Sequence, residues 1–162
     1  MKAISVWHGG WQSVLDDGRG HGTVVDFPLD DGGMDTGPTA LELGVMAFAG
    51  CITTFFKLNA DERGFSYTAF RVELDAERPE DAPTITSMKG KMEMVTDGEE
   101  KEAQQILRQT VEKCPLGLIF HKAGIKLDWT LTVKKPSPDL NESETTQYCS
   151  PFSLSHNLLR RI

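Results

Sequence analysis

Cysteine is the residue type with which this sequence could do redox chemistry, and it occurs as Cys51, Cys114 and Cys149. Two thiols can pass reversibly between a dithiol and a disulfide. Three cysteines cannot all pair within one chain, and the N-terminal residues have no apolar export signal, so we expect a cytoplasmic protein without a structural disulfide framework. Any cysteines that pair are therefore expected to be redox-active.

Cys114 lies where a helix is predicted to break. Apolar residues recur with helical spacing up to Cys114, so a helix that begins near Glu99 turns this cysteine toward the core. Pro115 suits the first turn of a following short helix, which we expect over residues 115–122. A thiol at the start of that helix faces unsatisfied N–H groups, and these favour its thiolate.

Cys51 lies in the middle of the most apolar segment of the chain. Thr39 and Glu42 have the spacing of a capping box, which predicts a helix from there to about Arg63. This helix is apolar on nearly every face, so it is expected to be buried. Taken alone, a buried free cysteine is more often a small core residue than a catalytic group.

Strands are predicted on both sides of these helices. β-branched residues beside glycine and aspartate turns predict antiparallel strands at 4–7 and 23–27. Alternation of apolar and charged residues predicts a hairpin of strands 70–74 and 85–95, and a final strand at 125–133. The fold class is therefore α+β, with one domain over residues 1–135 and an appended tail over 136–162.

Composition argues against several partners. The formal net charge of −7 repels a nucleic-acid backbone and is not attracted to anionic membranes. The longest apolar stretch, residues 43–52, is about half of the roughly 20 residues that span a bilayer. His121 follows Cys114 by two helical turns, but the scattered histidines and the absence of a CxxC pair predict no zinc site.

Three segments resemble the OsmC/Ohr family in their order and spacing. Residues 38–51 read PTALELGVMAFAGC, residues 84–87 read TITS and residues 114–117 read CPLG, followed by Ala-Gly-Ile and a closing strand. The similarity covers residues 37–133, and the 63-residue separation of the first two cysteines is similar to that of the family's reactive pair. The resemblance implies an OsmC-like fold and a tightly intertwined homodimer with active sites built from both chains.

The same resemblance implies a function. Members of the family reduce organic hydroperoxides, so Cys51 would be the peroxidatic cysteine that becomes a sulfenic acid, and Cys114 would be the resolving cysteine. An external dithiol, of the lipoyl type or a small thiol, would then reset the pair, and no bound cofactor is expected. The predicted function is therefore a thiol-dependent peroxidase of the oxidative stress response.

An attacking thiolate in an apolar site needs a nearby cation. In the family an arginine supplies it, oriented by a glutamate. Glu42 is close to that glutamate, which in the organic-hydroperoxide branch lies one position earlier, where this chain has Leu41; half of a capping box with Thr39 explains Glu42 equally well. Arg19 is the best match to the arginine, although a charge in a turn usually serves solubility.

Two other interpretations remain open. A member of the same fold without peroxidase activity could bind a small apolar or acyl ligand at the dimer interface, an alternative motivated by Leu41. In a purely structural interpretation, Cys51 and Cys114 are ordinary core residues, and Cys149 in the tail is a bystander in every case. Separation well beyond the roughly 7 Å between Cα atoms that a disulfide allows would rule out a resolving step.

Overall fold

The computed structural model describes residues 1–136. The internal contacts of the chain divide it into two compact units, one of Met1–Gly50 and one that begins at Cys51. Except for Pro136, the predicted tail and its Cys149 lie outside the described residues. The single domain over residues 1–135 stays a prediction.

The N-terminal unit contains a three-stranded antiparallel sheet in the order β1-β2-β3. Its strands are β1 (Ile4–Gly9), β2 (Gln12–Asp16) and β3 (Gly22–Val25). Gly9 and Gly10 form the turn between β1 and β2 and have positive φ values of 125° and 51°, which glycine adopts readily. The predicted N-terminal antiparallel strands are confirmed, but β2 is not predicted, because its five residues lie between two strong turn signals.

Strand β3 ends at Val25, two residues before the predicted end at residue 27. The next residue, Asp26, has a buried carboxylate that organises the following loop. The side chain is only 2% exposed. It accepts hydrogen bonds from the Thr36 hydroxyl at 2.8 Å, the Phe27 N–H at 2.8 Å, the Met34 N–H at 3.2 Å and the Gln12 amide at 3.5 Å. Burial alone would raise the pKa of Asp26, but the bonds from Thr36, Phe27 and Met34 outweigh it and lower the pKa below the ordinary value.

Helix α1 (Ala40–Glu62) begins at the predicted capping box. The Thr39 N–H donates to the Glu42 carboxylate at 2.7 Å, and the Glu42 N–H donates to the Thr39 hydroxyl at 3.2 Å. The helix ends just before Gly64, whose φ of 63° is the left-handed conformation that glycine favours. Both predicted ends of the helix are therefore confirmed to within one residue.

Burial along α1 is confined to one stripe within a single chain. Every fourth residue of the stripe is fully buried, namely Phe48, Ile52, Phe56 and Ala60. In contrast, Met46 is 57% exposed, and only 17% of the most apolar 18-residue window is buried. The burial on nearly every face that the sequence predicted for α1 is therefore not reached within one chain. By length and composition alone, α1 could cross a membrane.

The second unit contains a three-stranded mixed sheet in the order β4-β5-β6. Strands β4 (Ala69–Glu77) and β5 (Ser87–Val95) are antiparallel, which confirms the predicted hairpin, whereas β6 (Lys126–Lys134) is parallel to β5. On β5 the buried face alternates with a charged face. Gly90 lies opposite Trp129 in this sheet, and a β-carbon at Gly90 would overlap the indole ring, so the close approach requires glycine.

Two helices form the crossover between the parallel strands β5 and β6. Helix α2 spans Glu100–Lys113 and helix α3 spans Pro115–Lys122, as the helical period and Pro115 predicted. The stripe of α2 that the sequence assigned to the core is buried, namely Ala103, Ile106, Leu107 and Thr110. This crossover places Cys114 at the junction between the two helices.

Candidate active site

The thiols of Cys51 and Cys114 meet in the unit that begins at Cys51. Their sulfur atoms lie 2.7 Å apart although the residues are 63 positions apart in the chain. Because a disulfide bond is about 2.05 Å long, the two sulfur atoms need only a small movement to reach bonding distance once one of them has been oxidised. The structure therefore brings together the two cysteines that the sequence singled out, and their catalytic roles stay predictions.

The position of Cys114 follows from the break between α2 and α3. Its backbone is extended, with φ −61° and ψ 121°, and Pro115 occupies the first turn of α3. The Cys114 N–H donates to the Thr110 carbonyl at 2.9 Å, and the Cys114 carbonyl accepts from the Leu118 N–H at 2.9 Å. The backbone of Cys114 is thus fixed to both helices at once.

The two thiols differ in accessibility. Cys114 is fully buried, with an exposed fraction of 0%, whereas Cys51 is half-buried. Of the two cysteines, Cys51 is therefore the more exposed residue.

The start of α3 was expected to favour the thiolate form of Cys114, but the pKa of this thiol is raised instead. Burial and the hydrogen bond to Cys51 raise the pKa of the Cys114 thiol to about 11. Backbone N–H groups of Gly117 and Leu116, at the start of α3, act in the opposite direction, as a helix N-terminus should, but they are outweighed. Cys114 is consequently a protonated thiol at neutral pH.

A buried hydrogen bond that the sequence does not predict joins α1 to α2 near the thiols. The Asn59 side-chain amide donates to the Thr110 hydroxyl at 3.0 Å, and both residues are buried. Asn59 lies two turns after Cys51, and Thr110 lies one turn before Cys114. In the sequence, each of these polar residues lies in an otherwise apolar helical stripe, which could have marked it as a buried polar residue. That the two residues pair with each other depends on tertiary structure.

An aromatic cluster lies on the same part of α1. The ring centroid of Phe56 is 5.0 Å from that of Phe70 and 6.3 Å from that of Tyr67. Tyr67 and Phe70 in turn make an edge-to-face pair at 5.1 Å. These contacts hold the helix that carries Cys51 against the start of β4.

Glu42 and Arg19, the two proposed charge partners, lie in the N-terminal unit and have local partners there. Glu42 completes the capping box with Thr39. The Arg19 guanidinium forms an ion pair with Asp17 at 2.7 Å, and its side chain is 76% exposed. A hydrogen bond from His21, together with bonds from Arg19, lowers the pKa of Asp17 to about 2. Glu42 therefore caps α1, and Arg19 is an exposed turn residue, as the structural interpretation of each predicted. The catalytic roles of both residues stay predictions.

Metal-ligating side chains do not cluster in the described part of the chain. Among residues 1–136, no group of three or more histidine, cysteine, aspartate or glutamate side chains could hold a metal ion. His121 lies in the last turn of α3, within the helix that follows Cys114.

The sequence matches the family model described as OsmC-like protein over residues 32–130. Since this match covers more than half of the chain, the protein belongs to the OsmC-like family, and the predicted OsmC-like α+β fold is confirmed. The family includes proteins of organic hydroperoxide resistance. No curated protein matches the sequence closely enough to count as a relative.

Solved structures share this fold at low sequence identity. An OsmC-like protein from Mycoplasma pneumoniae superposes with a TM-score of 0.73 at 12% identity, over 82% of this chain and 95% of that one. An organic hydroperoxide resistance protein from Legionella pneumophila gives 0.62 at 15% identity, over 82% and 98%. The organic hydroperoxide resistance protein OhrB of Bacillus subtilis gives 0.55 at 17% identity, over 82% and 96%.

Proposed function

We propose that this protein is a thiol-dependent peroxidase that reduces organic hydroperoxides, with Cys51 as the peroxidatic and Cys114 as the resolving cysteine. The observation that carries the proposal is the 2.7 Å separation of the two sulfur atoms. Membership of a family that contains organic hydroperoxide resistance proteins supports the choice of substrate. The greater exposure of Cys51 supports its role as the first thiol to react.

The first step oxidises Cys51. Its thiolate attacks the terminal oxygen of the hydroperoxide, so that a sulfur–oxygen bond forms while the oxygen–oxygen bond breaks. Cys51 becomes a sulfenic acid, and the departing alkoxide takes up a proton and leaves as an alcohol. The peroxide has then been reduced by two electrons taken from the sulfur.

The second step joins the two cysteines and the third restores them. The Cys114 sulfur attacks the sulfenic sulfur of Cys51, a disulfide bond forms, and the sulfenic oxygen leaves as water with the proton of Cys114. An external dithiol, of the lipoyl type or a small thiol, reduces the disulfide and is itself oxidised. The proposed place of this cycle is the cytoplasm, where such thiols are kept reduced.

Mass spectrometry of the reduced protein after one equivalent of cumene hydroperoxide tests the proposal. We expect the intact chain to lose two hydrogen atoms, and digestion to give a peptide pair that joins Cys51 to Cys114. Cys149→Ser is the matched control and should behave identically. A reduced chain of unchanged mass would contradict the proposed cycle.

The second candidate is an OsmC-fold protein that binds a small apolar or acyl ligand and catalyses no peroxide reduction. The observation that favours it is the local pairing of Arg19 with Asp17 and of Glu42 with Thr39. In the same experiment, this candidate gives unoxidised Cys51 and Cys114. Retention of intact hydroperoxide by the protein would then support binding over catalysis.

We also propose that the functional form is a homodimer in which a second copy covers the exposed face of α1. The support is the apolar surface that a single chain leaves open, including Met46 and Leu58, which are 57% and 51% exposed. Light scattering of protein purified without detergent should give about 36 kDa, for two chains of 17.9 kDa each. A monomer, or a protein that needs detergent to stay in solution, would contradict the dimer.

A further inference from the structure

We propose that residues 152–155 of this chain dock as an additional strand along the outer edge of β6 and cover the groove between β6 and α2. The surface is made of other residues than the two thiols, so the inference does not depend on the peroxidase proposal. The match to the OsmC-like family ends at residue 130, before this segment begins. The docked strand is therefore a feature of this chain and not of the matched region.

The groove that receives the segment lies between α2 and β6, within the unit that begins at Cys51. Two cavities of about 430 and 690 Å³ share four lining residues and so form one continuous depression, the shared residues being Val111, Glu112, Leu127 and Asp128. Apolar side chains extend it in both directions, with Leu107, Trp129 and Leu131 on one side and Leu118 and Ile125 on the other. Val111 and Leu127 are only half-buried, so the groove leaves apolar surface open.

The β6 wall of the groove is also the edge of a sheet. In the order β4-β5-β6, the only strand that pairs with β6 among residues 1–136 is β5. The outer edge of β6 is nine residues long, and a strand edge of this kind is a template for pairing with another segment. An added strand pairs with this edge through its backbone, while every second side chain faces α2 across the groove.

One segment of the sequence has the composition and the pattern for this position. Residues 145–159 contain no Asp, Glu, Lys or Arg, although 25% of the whole chain is charged. Within them, residues 152–155 read FSLS, and such alternation of apolar and polar residues is typical of a strand with one buried face. Phe152 and Leu154 suit the apolar groove, and the two serines suit the solvent side.

The residue before this segment also favours an edge position. Pro151 has no N–H group to give to a ladder, and proline is tolerated at the first position of a strand or on an edge strand. A strand added outside β6 becomes the new edge of the sheet. The proline therefore also discourages a further strand from pairing beyond it.

The place where the chain leaves β6 allows this arrangement. The Lys135 ammonium donates to the carbonyls of Asp97 and Gly98 at 3.0 and 3.2 Å, just before α2 begins. A segment that turns back from there runs antiparallel to β6, which is the pairing that a direct connection permits. The connecting residues 136–151 can extend to roughly 50 Å, which exceeds the length of about 30 Å expected for β6.

A second copy of the chain is the competing occupant of the same edge. The segment of the same chain has the advantage, because a tether of this kind keeps it at an effective concentration on the order of millimolar. Pairing within one chain also removes the edge without limiting the protein to one oligomeric state. The two occupants differ in how pairing depends on protein concentration.

Hydrogen exchange of the full chain, measured by mass spectrometry on peptides that cover β6, tests the docking. Leu154→Asp places a charge on the side that faces the groove. Ser153→Asp is the matched control, because it places the same charge one residue away on the opposite side. We expect the amides of β6 to exchange at least about tenfold faster in Leu154→Asp than in the wild type or in Ser153→Asp.

The amides of β5 provide an internal reference, since this strand lies between β4 and β6. They should exchange at the same rate in all three proteins, which shows that the sheet itself is intact. Equal exchange of β6 in the three proteins would overturn the inference. Protection of β6 that rises with protein concentration and survives Leu154→Asp would also overturn it and assign the edge to a second copy.

A response of β6 to Ser153→Asp that equals or exceeds the response to Leu154→Asp would likewise overturn the inference, because docking through one face predicts a difference between them. None of these outcomes depends on whether the protein reduces peroxide. Failure of the peroxidase proposal is seen in the mass of the chain after cumene hydroperoxide. Failure of the docking is seen in the exchange of β6.

Discussion

Cys51→Ser is expected to abolish peroxide consumption, lowering the steady-state rate by a factor of roughly 10³ or more when a dithiol is supplied. The physical reason is that a serine hydroxyl does not ionise near neutral pH, so no thiolate is present to attack the peroxide. Position 51 also supplies one of the two sulfurs that lie 2.7 Å apart, and its loss removes the disulfide as well. Disappearance of cumene hydroperoxide in the presence of a reduced lipoyl dithiol is the measurement.

The control for this variant is Cys149→Ser, which removes the third cysteine and should retain the wild-type rate. Near wild-type turnover in Cys51→Ser would eliminate Cys51 as the nucleophile. Loss of turnover in both variants would contradict the assignment of the chemistry to the pair formed by Cys51 and Cys114. The proposed mechanism requires that Cys51→Ser consume cumene hydroperoxide no faster than the reaction without protein.

Phe56→Ala is expected to lower the free energy of unfolding by about 3–5 kcal/mol. The side chain is fully buried and packs against the rings of Phe70 and Tyr67, so truncation leaves a cavity beside α1. Since Phe56 lies five positions after Cys51, disulfide formation should also slow as the helix loses its support. Urea unfolding followed by circular dichroism measures the stability.

Lys57→Ala is the matched control on the same helix. Its side chain is 62% exposed and forms an ion pair with Asp61, and such surface pairs contribute less than about 1 kcal/mol. The two variants should therefore separate clearly in their urea midpoints. Equal losses at positions 56 and 57 would contradict the placement of Phe56 in the core.

Features with a local physical cause could be predicted from the sequence. The capping box of Thr39 and Glu42 satisfies N–H groups within one turn, so the start of α1 follows from neighbouring residues. Pro115 cannot continue α2, so the end of α2 does as well. The β4–β5 hairpin follows from alternation along two adjacent segments. The strand β2 escaped prediction because its residues at positions 12–16 carry little apolar alternation between two turns.

Features that depend on distant partners could not be predicted from the sequence. The helix N-terminus beside Cys114 suggested a thiolate, but the burial that reverses this effect arises only when the fold is complete. The bond between Asn59 and Thr110 joins residues that are 51 positions apart. The proximity of Cys51 and Cys114 was implied by the family resemblance, and periodicity alone did not indicate it.

The parallel pairing of β5 with β6 has a consequence for how newly made chains behave. Parallel strands need a long connection, and here that connection contains α2, Cys114 and α3. Closing this connection costs chain entropy before the contacts between β5 and β6 can offset that cost. Sheets with parallel strands that are distant in the chain therefore form slowly. We therefore expect the dithiol site to be assembled late, so that incomplete chains hold their thiols apart and do not consume reductant.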